Sequence, residues 1–89
     1  EVAAAVVAGE LRINWTVHAS SPVIATQVAH IEVLDALGRV LRHLSRNPLT
    51  GADGHGSLVL PIAPEDGASF TVRVRDVLSG QVAEAAHVH

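Results

Sequence analysis

The sequence contains no cysteine, methionine, lysine or tyrosine, and each absence removes a class of explanation. Without cysteine there are no disulfides, no thiolate metal sites and no cysteine nucleophile. Cysteine-free domains occur in exported proteins as well as in the cytosol, so this leaves the compartment open. Without methionine, Glu1 does not read as a natural start, and the 89 residues read as a single domain, 1–89, cut from a larger protein. Without lysine, six arginines carry the fixed positive charge against nine acidic residues. The resulting net charge of −3 provides no basic field for nucleic acid or anionic lipid. Long apolar runs are missing too, and no uncharged stretch approaches the length of a membrane span. The opening EVAAAVVAGE is apolar, but acidic residues flank it and no basic segment precedes it, so it does not read as a signal peptide.

What is present is apolar and small. Hydrophobic residues make up 48% of the chain, too many for a disordered segment. Eighty-nine residues suit one core with little stability in reserve. Arginine without lysine, beside abundant alanine, fits a GC-rich bacterial source.

Period-two alternation is the dominant signal. In ELRINWTVH, Leu11, Ile13, Trp15 and Val17 point one way and Arg12, Asn14, Thr16 and His18 the other. VAAAVV at 2–7 reads as an edge strand, SLVLPI places Leu58, Leu60 and Ile62 on one side, and VAEAAHVH forms the last strand. Pro61 assigns its segment to an edge or a strand end. SFTVRVRDV is the strongest strand, with Phe70, Val72 and Val74 as its dry side. ASSPV and LSGQ read as turns, and SRNPLTGADGHG as the longest loop.

Residues 28–44 admit two readings. A helical stripe would run through Val28, Ile31, Leu34, Leu37, Leu41 and Leu44. A hairpin would turn at DALGR and return through VLRHL. The hairpin is preferred, because Gly38 mid-helix would cost about 1 kcal/mol relative to alanine. Asp35 and Gly38 are also turn-formers. Six or seven short strands joined by turns predict an all-β fold, an antiparallel two-sheet sandwich.

On these residues the chain resembles a fibronectin type III domain. LRINW looks like its second strand, with Trp15 as the core tryptophan. LVLPIAPEDGASFTVRV resembles the segment in which Ile62 and Pro64 lead to the corner aromatic, Phe70. Two departures stand out: the interval from Pro64 to Phe70 is about two residues longer than in that family, and phenylalanine replaces the corner tyrosine. IEVLDALGRVL in turn resembles a hairpin of immunoglobulin-like domains that end many secreted bacterial proteins. The resemblance implies a β-sandwich module of a bacterial exported protein, located extracellularly, at the cell surface or in the periplasm.

Several clusters invite chemistry. The resemblance sets Arg73 and Arg75 beside Glu32 on an outer sheet face. That is either a solvated face with one ion pair or a patch for an anionic ligand or partner. An arginine-glycine-aspartate adhesion tripeptide is absent. His87 and His89, two apart, would share a face of a strand and start a zinc or copper site, with His18, His30 and Glu84 as further ligands. Asp53, His55 and Ser57 crowd one loop too closely for a hydrolytic triad, which draws its members from distant parts of a scaffold. NWT at 14–16 matches a glycosylation acceptor, but it sits mid-strand beside a core tryptophan.

The expected function is therefore a non-catalytic accessory module of a larger secreted or surface protein, a secreted hydrolase being one such parent. It would act as a spacer or bind protein or carbohydrate, with no cofactor, no nucleic acid and no membrane insertion. The competing expectations are a histidine-based metal-binding domain and a self-associating interface module. The motive for the second is the apolar VAAAVVAG and AEAAHV, which would form exposed edges.

Overall fold

The computed structural model describes residues 1–16, 27–51, 54–77 and 80–89. Among the described residues seven strands form two antiparallel sheets: β1 (Val2–Val7), β2 (Glu10–Thr16), β3 (Gln27–Leu34), β4 (Leu49–Thr50), β5 (His55–Pro61), β6 (Phe70–Asp76) and β7 (Val82–Val88). One sheet has the order β1-β2-β5 and the other β4-β3-β6-β7. The strands follow from the alternation. Leu11, Ile13 and Trp15 of β2, Ile31 and Val33 of β3, Leu60 of β5, and Phe70, Val72 and Val74 of β6 fill the space between the sheets. Both aromatic rings are sealed there, Trp15 at 3% and Phe70 at 1% exposure.

Trp15 sets the chemistry of one end of the core. Its cross-strand partner on β5 is Gly56, and a Cβ at that position would overlap the indole. Its Nε1–H donates to Thr50 Oγ1 at 2.9 Å, so a buried hydrogen bond ties β2 in one sheet to β4 in the other.

The helical reading of 28–44 gives way to β3 and the DALGR turn. Asp35 Oδ1 accepts the backbone N–H groups of Leu37 and Arg39, both at 2.9 Å, and Gly38 takes a φ of +80°. The return strand differs from expectation. VLRHL does not run as a strand: Val40 bridges Leu34, residues 42–44 form a 3₁₀ turn, and Arg46 bridges Ile31 before β4. The break lets Leu44 drop into the core, where a strand continued in the Leu34–Val40 register would have set it opposite His30 on the outer face.

The expected long loop 45–56 accordingly carries β4 and the start of β5. Pro61 ends β5, an edge strand, as its missing N–H requires. The turns expected at ASSPV and at Leu78–Ser79 of LSGQ lie outside the described residues.

Candidate functional site

On the outer face of the four-stranded sheet, Arg73 of β6 stands directly opposite Glu32 of β3 and Glu84 of β7. Its Nη1 lies 3.6 Å from Glu32 Oε1 and its Nε 3.2 Å from Glu84 Oε2. The fibronectin resemblance implied the Glu32 partner. Glu84, considered there as a metal ligand, is the second arm of the same ion-pair row. Arg75, one step on, pairs across the ladder with His30 and Val82 and makes no ion pair among the described residues. Beside it the face turns apolar: Val28 pairs with Leu49, the Val77 N–H donates to Val28 O at 3.0 Å, and all three are exposed, as is Val82. No spacing rule marks this patch in the sequence, because its members come from four strands.

The histidines do not converge. His30 Nδ1 donates to Asn47 Oδ1 at 2.8 Å. His30 sits opposite Arg75, whereas Val88 sits opposite Phe70, five positions away along β6 and roughly 17 Å distant. His87 occupies a bulge with φ of +55°; it and His89 are exposed and flank buried Val88. His18 lies outside the described residues. Among the described residues no three His, Asp or Glu side chains gather as a metal site.

At the pole where β1 begins, a concavity of about 580 Å³ is lined by Asn14, Thr16, Leu49, His55 and Ser57 over the edge of Trp15. Thr16 Oγ1 lies 3.1 Å from His55 Nδ1. Of the imagined triad, Asp53 lies outside the described residues, and His55 and Ser57 are two steps apart on one strand, roughly 7 Å. Asn14 of the NWT triplet is exposed on the outer face of β2, opposite Ser57.

A polar device missed in the sequence sits between β5 and β6, where Pro64–Asp66 form a second 3₁₀ turn. Asp66, buried, accepts the Ala63 N–H at 2.9 Å and the His43 Nε2–H at 2.6 Å. The Ala63 bond holds the carboxyl below the ordinary aspartate value, against the opposing pull of burial, and His43 adds to the lowering. Because His43 belongs to the broken edge beside β3, this pair staples that edge to the corner that follows the other sheet. The signal available in the sequence was PED, an acid three residues after Ala63, the spacing at which a side chain reaches back to a turn's first N–H.

In comparison with known proteins, no family model, curated protein or solved structure matches the chain. Among the described residues no helix is long and apolar enough to cross a membrane.

Proposed function

We propose that the chain is a fibronectin type III- or immunoglobulin-like accessory module of a larger exported bacterial protein, one that holds neighbouring domains apart and offers its four-stranded face to a protein partner. The observation that carries this reading is the strand order. Strands one, two and five against three, six and seven is the immunoglobulin-like grouping. The fourth strand lies beside the third, which favours the fibronectin side of the resemblance. Trp15 in the core from the second strand, Pro64 in the turn before the sixth and Phe70 opening the sixth support the reading, with the longer Pro64–Phe70 interval as the departure. Where the family would anchor the corner with a tyrosine hydroxyl, Asp66 does so with a carboxylate.

The layout suits a spacer. β1 starts beside Val82, at the pole where β7 also starts, and β7 ends at the other pole beside Phe70, so chain enters at one end of a body measuring 41 × 23 × 19 Å and leaves at the other. A protein partner is favoured over a carbohydrate one. Sugar rings stack on exposed aromatic faces, and this chain's two aromatic side chains are both spent in the core. Arg75 framed by Val28, Leu49, Val77 and Val82 is instead an apolar patch with one cationic anchor, a protein-contact composition.

Reporter domains fused to each end test the spacer role. Small-angle scattering should show them separated by an added distance close to the 41 Å long axis, with a narrow distribution. A distribution as broad as that given by a Gly/Ser linker of equal length would refute it.

A further inference from the structure

We propose that β1 is a homodimerisation strand, which pairs antiparallel with β1 of a second copy about a two-fold axis through Ala4 to make a continuous six-stranded sheet.

The first ground is the state of the sheet edges. An exposed strand edge is a template for another strand unless something blunts it. β4 is two residues long and follows Pro48. β5 ends in Pro61, whose missing N–H falls on the outer side. β7 carries Glu84 and the bulge at His87. Among the described residues β1 is the one edge longer than two residues that carries no charge, proline or bulge.

The second ground is the direction of its backbone groups. Glu1 and Thr16 exchange both main-chain bonds, at 3.0 and 2.9 Å. Antiparallel alternation then commits Ala3 and Ala5 to β2 and turns the N–H and C=O groups of Val2, Ala4 and Val6 outward. Those groups have no partner among the described residues.

The third ground is self-complementarity, which a two-fold interface requires. Residues 2–6 read VAAAV in both directions. A two-fold axis at Ala4 sets Val2 against Val6, Ala4 against itself and Ala3 against Ala5, and it keeps inward residues paired with inward ones. The outward-turned groups of 2, 4 and 6 are then the ones that meet, giving six inter-chain hydrogen bonds. Val2, Ala4 and Val6, packed on the core but only partly buried, would lose their remaining exposure. Glu1 falls opposite Val7, so no like charges face one another across the pairing.

Sedimentation of the whole chain from micromolar to millimolar concentration should show a mass that rises from one chain to two and stops there. The Val2, Ala4 and Val6 amides should gain exchange protection over the same range. Ala4→Pro, which removes an outward N–H at the axis, should abolish association with tryptophan fluorescence unchanged. If that variant fails to fold, two charged pairs decide. Ala3→Lys with Ala5→Glu puts opposite charges across the two-fold and should keep or strengthen the dimer. Ala3→Glu with Ala5→Glu puts like charges there and should weaken it several-fold. A chain monomeric at millimolar concentration, oligomers growing past two, protection appearing on another edge, or equal behaviour of the two charged pairs would each overturn the proposal.

Discussion

Replacing Gly56 by alanine is the sharpest perturbation of this fold, because ordinary expectation and the structure give opposite signs. In open space a strand glycine exchanged for alanine gains about 0.4–1 kcal/mol by stiffening the unfolded chain. Here the new methyl would lie 2.6 Å from Trp15 Nε1 and nearer still to two ring carbons. Carbon contacts settle at about 3.5–4 Å, so the indole must shift by roughly 1 Å. The ring is enclosed, and overfilling such a site costs about 1–3 kcal/mol. The shift also pulls Nε1 from Thr50 Oγ1, and stranding a buried donor costs about 1–3 kcal/mol. A net loss of about 1–5 kcal/mol follows, comparable with the 3–5 kcal/mol of removing the indole altogether. That is a large part of the 5–13 kcal/mol expected for a chain of this length, roughly. Urea denaturation read by the single tryptophan, with far-ultraviolet circular dichroism as a second probe, measures it. Thr50→Val should cost about 1–3 kcal/mol alone, and the double variant less than the sum, because both changes break the same bond. A Gly56→Ala protein as stable as the parent, or more so, would refute the packing described.

Three further outcomes follow from other parts of the molecule. Arg73→Ala should lower stability by less than about 1 kcal/mol, with the difference shrinking at high salt, since Arg73 and Glu84 are partly exposed; denaturation at two ionic strengths checks it. Ala8→Asn should stabilise by about 0.5–1 kcal/mol in thermal unfolding, because Ala8 and Gly9 both hold positive φ in a two-residue hairpin loop that favours Asn-Gly. The carboxyls of Asp66 and of Asp35, the latter held chiefly by the Arg39 N–H, lie below the ordinary aspartate value when folded. Each therefore stabilises the fold fully above that value, and the contribution is lost as pH falls below it towards the folded-state value. Acid denaturation of an Asp35→Asn, Asp66→Asn variant should show a flatter dependence in that window than the parent.

The parts of this fold that were legible in the sequence are those that alternate. Leu11-Ile13-Trp15 and Phe70-Val72-Val74 declare both strand and buried face, since a one-residue slip would place every one of them in water. The DALGR turn was legible because Asp35 and Gly38 have turn chemistry of their own. The broken edge at 40–46 was not, because its shape answers to distant groups: the pocket that takes Leu44 and the carboxylate that takes His43. The surface shows the same division. Glu32 opposite Arg73 was anticipated, whereas Glu84 and the apolar surround of Arg75 depend on cross-strand register, which no local pattern encodes.

The irregularity in β7 has a consequence for insertion and deletion. Between Phe70–Val88 and Val72–Ala85 the ladder advances two residues on β6 and three on β7, so Ala86 and His87 both face out. Excising Ala86 would restore even parity, leave Val88 against Phe70, and free His87 from its left-handed backbone, all without moving one core side chain to the other side. A strand shortened in that way would run straight, and a straight border in place of a kinked one is what a stray strand needs to attach. The surplus residue thus contributes nothing to packing and guards the molecule's flank.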